Sequence, residues 1–493
     1  MQGPIRIAPL SAVRPLWFSA APSSYFHQRK TAREGYLRWY VLVHCLCFLL
    51  YAGLGKGFAY AGASPIFVGE VLLLCGLWAA IRAGKLLFLA CKPIGFLLIL
   101  FSLWELGCTL PFVDVYGVDA LRDAVLWVYS IFAWIVAALI LRLGDCTGLV
   151  VQRFRKYGGI LIALALASFL LTEFAAHRLP TWPGTTVSIP HLKAGDMCVH
   201  VAGAMSFLLV GLGGRRRWWL LPALGGFLSG AVGNRGGAVA CIAGLSLAFL
   251  LFPRFSWLQK AAPAVAVLLL GLALLAVLRV QIKLPSNREF SLGQLENNAG
   301  SIVGGSRGGL DNTIRWRLEW WHRIIGYTFG GPYFWTGKGY GVNLTTNDGM
   351  ARNERGFPGL RSPHNSHLTF LARSGVPGVC LWALLQTAWA VSTFRGYWLA
   401  KRRGSMLWAR IFGWLLAYWL AFLVNACFDV SFEGPVSGIP FWTIFGLGWG
   451  ARIRFSSLAK GKARPARVHN EFKSSLERSF GAVPIACHGL RLT

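Results

Sequence analysis

Acid is what this chain has least of. Among 493 residues there are 19 Asp and Glu against 49 Lys and Arg, a net charge of +30. The carboxylates are too few and too scattered to make an Asp-x-Asp pair or a His/carboxylate cluster. No divalent-metal site is therefore expected, and no cofactor. Cysteine does not fill the gap: the 11 present include no CxxC pair, and Cys45-Leu46-Cys47 falls in an apolar run. Residues 1–35 are polar and basic, with no apolar core leading to a small-residue cleavage site, so no signal peptide is expected. No internal repeat is visible, which speaks against an inverted-repeat transporter.

Charge of either sign is also scarce, at 14% of residues against 55% hydrophobic. The consequence is a series of charge-free stretches at 40–55, 93–104, 124–141, 158–171, 218–232, 238–252, 262–278, 378–391, 411–427 and 439–449. With their flanks they reach about 20 residues, enough to cross a hydrocarbon core of about 30 Å. Backbone polar groups in lipid must be satisfied within the segment, so these are helices. Barrel strands would alternate polar and apolar residues, which these do not. The fold class expected is an all-α polytopic membrane protein.

The basic excess sits beside these spans, in Arg153-Phe154-Arg155-Lys156, Arg215-Arg216-Arg217, Lys401-Arg402-Arg403 and the tail 452–467. That is the positive-inside pattern, with membrane lipids and not nucleic acid as the partner. Placing those loops inside predicts about twelve spans. Residues 1–35 are then a cytoplasmic tail, 36–280 carry spans 1–9, 281–363 form one large outer loop, 364–454 carry spans 10–12, and 455–493 form a basic cytoplasmic tail. Span 4 is expected near 122–142 and span 5 near 157–175, joined by a basic link. Cys108 and Cys198 both fall toward the outer side, where a disulfide is open to them.

The large loop carries the richest chemistry. Residues 313–325 read as an amphipathic helix with Ile314, Leu318, Trp321 and Ile325 in one stripe, widened by Trp320 and Ile324. Arg315, Glu319, His322 and Arg323 share the polar face. Arg317 falls in the apolar arc, which suits either an arginine at the lipid headgroups or a rigid fork over buried phosphate oxygens. Arg235 sits on the turn Gly233-Asn234-Arg235-Gly236-Gly237, as an interfacial anchor or as a second anion ligand. His364 follows Pro363 at the start of span 10, with Asn365 beside it, and can serve as a general base near neutral pH. Glu70, Arg122 and Asp123 lie near the outer ends of spans, as ion pairs that ease burial or as substrate contacts. Trp320, Trp321, Tyr333, Phe334, Trp335 and Tyr340 suit a sugar-stacking platform or an interfacial belt. Gly337-Lys338-Gly339-Tyr340-Gly341 lacks the strand and helix of a nucleotide loop and reads as a tight turn.

Taken in order, Gly233–Gly237, Arg317-Leu318-Glu319-Trp320-Trp321, the glycine run at 332–341 and Pro363-His364-Asn365-Ser366-His367-Leu368 resemble the O-antigen ligase/polymerase family. The resemblance is specific over 233–378 and looser over the earlier spans. It implies a GT-C-like membrane glycosyltransferase in the bacterial inner membrane, with its large loop in the periplasm. The implied donor is an undecaprenyl-diphosphate-linked glycan, and the implied acceptor is a hydroxyl of a glycan or of lipid A-core. The family's essential arginines match Arg235 and Arg317, and its histidine matches His364. Asn365, Glu70, Arg122, Asp123 and Trp321 are the substrate-binding candidates. A repeat-unit polymerase on the same carrier is the alternative within the family, and a lipid-linked sugar transporter the alternative outside it.

Overall fold

Apolar runs that cannot leave a backbone group unpaired in lipid have one local solution, and the chain takes it repeatedly. The structure, a computed structural model, describes residues 23–63, 66–214, 217–253, 282–283, 289–290, 310–351 and 361–461. In chain order the helices are α1 (Ser23–Leu54), α2 (Lys56–Ala59), α3 (Val68–Ala83), α4 (Leu86–Ala90), α5 (Pro93–Tyr116), α6 (Val118–Val128), α7 (Ile131–Leu143) and α8 (Cys146–Ala175). They continue as α9 (Ala194–Leu209), α10 (Leu220–Gly233), α11 (Arg235–Leu251), α12 (Leu310–Phe329), α13 (Leu344–Asn347), α14 (Ser366–Arg402), α15 (Met406–Ala426) and α16 (Pro435–Gly461). Short antiparallel pairs join Gly62–Ala63 to Ile66–Phe67 and Ile282–Lys283 to Glu289–Phe290.

This is a multi-pass helical membrane protein. Among the described residues five helices are long and apolar enough to span, or six if the bent pair α6–α7 counts as one. The expected twelve also drew on the shorter apolar helices α9, α10 and α11, and on a span near 262–280 that lies outside the described residues. Large apolar side chains stand exposed along the helices, among them Leu74, Trp78, Phe96, Leu103, Ile160, Leu250 and Leu384. On a water-soluble surface so much exposed hydrocarbon would drive association, whereas lipid accepts it.

Inside the bundle α7 packs on α16, α11 on α9 and α15, and α14 on α5 and α15, while α12 lies against α14. Small residues set the closest approach: a Cβ added to Gly244 on α11 would come within 2.9 Å of the Ala417 carbonyl on α15. Aromatic rings fill the space below the non-basic end. Trp382 stacks on Phe370 at 4.6 Å and meets Phe101, Phe432, Phe441 and Trp442.

Local departures from the sequence reading have local causes. The expected span 4 is bent by 40° between α6 and α7. There Ser130 N–H bonds Trp127 O and Ala133 N–H bonds Ser130 O, tighter i to i+3 links that break the helical run. Arg122 and Asp123 consequently sit within α6, one turn past its start. The basic link before span 5 is mostly helix, because α8 starts at Cys146 and Lys and Arg are good helix formers whose tips reach water. Cys108 and Cys198 are buried free thiols on different helices.

The longest helix, α14, is broken at Gly375 (φ 71°, ψ −170°), a conformation essentially reserved for glycine. Pro377 supplies no N–H for the Arg373 carbonyl, and Val376 turns its own N–H to Phe334 O (2.7 Å). The carbonyls of Ala372 and Arg373 are met instead by the N–H groups of Lys338 (2.8 Å) and Gly339 (3.0 Å). The glycine run is thus a tight turn, as expected, and it docks residues 337–342 into the kink of α14.

Candidate functional site

The site forms where three chain segments meet the turn between α15 and α16. The first is the Gly233–Gly237 turn. Asn234 caps α11, its Oδ1 accepting the Gly237 N–H at 3.0 Å, which puts Arg235 in the first turn, half-buried. Gly236 lies hard against Phe428: a Cβ there would sit 2.4 Å from the Phe428 Cβ. Only a bare backbone can bring this helix start so near the α15–α16 turn.

The second segment is α12. It extends over Leu310–Phe329 and exposes Arg315, Glu319, His322 and Arg323 as expected. Its buried edge, however, is Trp320 and Ile324 with Thr328, while Leu318 and Ile325 remain exposed. The apolar arc is wider than the surface it packs on, so the sequence stripe is centred about a quarter of a turn away. One helical turn of this edge reaches across the site. Arg317 Nη1 donates to the Phe428 carbonyl at 3.0 Å, and Trp321 Nε1 donates to the Pro363 carbonyl at 2.8 Å. An i, i+4 pair therefore straddles His364 and the turn opposite it.

The third segment is 361–366. His364 alone among the described non-glycine residues has positive φ, at 53°. Left-handed backbone at a histidine, between a proline and a helix cap, is strain of the kind that gathers at working sites. Its Nδ1 lies 3.7 Å from Asp429 Oδ1, which leaves Nε2 as the ring nitrogen turned away from the carboxylate. Asn365 caps α14, its Oδ1 accepting from His367 N–H at 3.0 Å and Leu368 N–H at 3.1 Å. That cap clamps the backbone next to His364. His367 is tied inward: Trp382 Nε1, only a donor, gives its hydrogen to His367 Nδ1 at 3.0 Å, so Nε2 carries the proton toward Leu423 O at 3.1 Å.

The turn itself supplies what the sequence reading missed. Asp429 is nearly buried and faces both His364 and Lys193, whose Nζ is 3.6 Å away. Burial would raise its carboxyl, yet the Lys193 ammonium, with the nearby His364 ring and a hydrogen bond from the Val430 N–H (2.8 Å), holds it below the usual carboxylate range. The same attraction raises the Lys193 ammonium. Ser366 Oγ donates to Asp429 O (3.2 Å) and accepts the Phe432 N–H (3.2 Å), fixing the turn to the start of α14. An ionisable residue in a short turn between two apolar spans was the visible signal, the same rule that selected Arg235.

The depressed carboxyl has a sign that can be checked. Because the folded-state pKa of Asp429 lies below its unfolded value of about 4, its stabilisation is present above that pH and lost as pH falls through the folded value. Asp429→Asn is expected to cost about 2 kcal/mol at pH 7. The gap to the wild type should close as pH is lowered below about 4, read by thermal unfolding of the purified protein across pH.

Glu70, Arg122 and Asp123 form no hydrogen bond or ion pair with His364. Glu70 accepts the Phe67 N–H (3.0 Å) and the Tyr129 hydroxyl (3.2 Å), a cap for α3. Arg122 is exposed and pairs with Asp119 and Asp123. Asp123 is a hub for the outer segment: its Oδ2 takes Arg373 (2.9 Å), Arg361 (3.3 Å) and the Gly341 N–H (3.1 Å). Arg373, fully buried, also donates to the Gly339 and Val342 carbonyls. Trp320 is bonded to Asp348 in the outer segment and so is not a free stacking face, whereas Trp335 is exposed. Below His364 a groove of about 450 Å³ opens between α14 and α15, lined by His367, Trp382, Gln386, Ala390, Trp419 and Leu423. Among the described residues no group of three or more His, Cys, Asp or Glu converges.

Fold and site together define a helical membrane protein with arginine, histidine and carboxylate gathered at the end away from the basic loops. The family model described as O-antigen ligase matches residues 221–383, and the resemblance to the O-antigen ligase family is thereby shown for that stretch. It spans Arg235, Arg317 and His364; Asp429 lies beyond it. No curated protein matches the chain.

Proposed function

We propose that this protein is a membrane glycosyltransferase that moves a glycan from undecaprenyl diphosphate to an acceptor hydroxyl on the periplasmic face of the bacterial inner membrane. The observation that carries the reading is the joint approach of Arg317, the Arg235 turn and His364, all three within the stretch of O-antigen ligase type, to residues 428–429 beyond it. Breaking the sugar–diphosphate bond leaves growing negative charge on the leaving phosphate. Arg235 and Arg317 stabilise it with donors already in place. The acceptor hydroxyl must lose its proton as it attacks the anomeric carbon. His364 Nε2 takes that proton, and Asp429 opposite Nδ1 orients the ring and stabilises the imidazolium. The polyprenyl tail fits the groove that descends between α14 and α15. Asn365 and Trp321 position this centre through the backbone of residues 363–368, and Asp123 holds the outer segment over it.

The chemistry assigned to these residues needs no divalent ion. The test is transfer by purified protein from an undecaprenyl-diphosphate glycan, in EDTA. Product with EDTA present is expected; turnover that dies in EDTA and returns with magnesium would overturn the arginine-based account. Supplying lipid A-core or a second carrier-linked repeat as acceptor separates ligase from polymerase.

A further inference from the structure

At the end of the bundle opposite His364, residues 88–94, 388–395 and 449–457 enclose a cavity of about 630 Å³. Lys92, Arg395 and Arg452 line it, with Ser392, Ser456 and Ser457. None of the three segments contains Asp or Glu. Arg452 is held in place: Nε donates to Ser392 O at 3.2 Å, and Nη1 donates to Ser456 Oγ. Gly396 makes room for it, since a Cβ there would fall 2.8 Å from Arg452 Cδ. Lys92 rests over the Phe88 ring at 4.3 Å. Arg395 stands exposed at the rim and, with Arg403, adds only like charge to Arg452.

Cations gathered around a partly desolvated cavity repel one another, and an anion between them removes that cost. The level is that of a membrane surface. From the Gly375 kink α14 runs about 30 Å to Arg395, one hydrocarbon thickness. Val391 and Phe394, on the same stretch of α14, are exposed apolar side chains that suit acyl chains. We propose that this cavity is a binding site for the phosphate of an anionic phospholipid headgroup from the leaflet at the basic end. The Lys92 ammonium and the Arg395 guanidinium, beside an Arg452 held in place, suit phosphate oxygens, and the apolar wall distinguishes a lipid from free phosphate. The site is independent of the transfer chemistry at the other end.

The test is lipid binding by full-length protein in detergent, using native mass spectrometry with phosphatidylglycerol, phosphatidylcholine and sodium phosphate. Phosphatidylglycerol is expected to bind at least about tenfold more tightly than phosphatidylcholine, without competition from equimolar sodium phosphate. Lys92→Gln with Arg395→Gln leaves the Arg452 anchor intact and should weaken phosphatidylglycerol about 25-fold, roughly fivefold per cation. Lys401→Gln with Arg402→Gln, at the same end but outside the cavity, should change it little. Equal binding of the two lipids, or no loss in the cavity variant, would overturn the site. An equal loss in the 401/402 variant would replace it with diffuse surface charge, and competition by sodium phosphate would replace the lipid with a soluble anion.

Discussion

In purified protein, His364→Ala lowers glycan transfer by about 10²-fold or more while donor lipid still binds, the signature of a lost general base. The expectation follows from the ring's placement. Asp429 occupies the Nδ1 side at 3.7 Å, and Nε2 faces away from it. The backbone at residue 364 is left-handed, with φ 53°. Alanine tolerates that conformation less well than asparagine does, so His364→Asn keeps the turn while removing the base. Both variants should lose turnover alike. If His364→Asn retained near-normal transfer, the histidine would be a turn residue and not the base. Loss of donor binding in both would make it a donor ligand.

Arg317→Lys should fail nearly as badly, with transfer down about 10²- to 10³-fold, as when one preorganised donor to a developing oxyanion is removed. One arm of the guanidinium is already committed to the Phe428 carbonyl at 3.0 Å. A lysine has the charge but a single compact ammonium, so it cannot hold that carbonyl and also face phosphate oxygens in a fixed fork. Donor binding and turnover measured together decide between the two readings of this arginine. A lysine variant of near-normal activity would assign Arg317 to the membrane interface. Loss of turnover in a protein whose thermal stability is unchanged would assign it to the diphosphate.

Arg235, Arg317 and His364 were visible in the linear chain because each is a polar residue where lipid or an apolar face makes polarity costly. Asn365 was visible for the same reason, and the structure gives it a definite task as the cap of α14. Asp429 was not singled out. Its partners His364 and Lys193 are remote in sequence, and nothing local shows that they meet. Arg373 escaped altogether. It sits in the second turn of α14, and its use depends on Asp123 and on the carbonyls of a glycine turn more than 30 positions upstream.

Sequence alone determined the class, because long charge-free runs in a bilayer admit only helices. It also determined the glycine turn, since a run lacking a preceding strand and a following helix has no way to cradle phosphates. Tertiary structure decided which edge of α12 is buried, where α14 breaks and which groups share a site. Periodicity defines an apolar arc but not the neighbour that covers it, and only packing chose Trp320 and Ile324 over Leu318 and Ile325. Gly375 and Pro377 permit a break without imposing one. That the freed carbonyls are taken by Lys338 and Gly339, drawing the outer segment toward His364, follows from backbone groups with no sequence signature of their own.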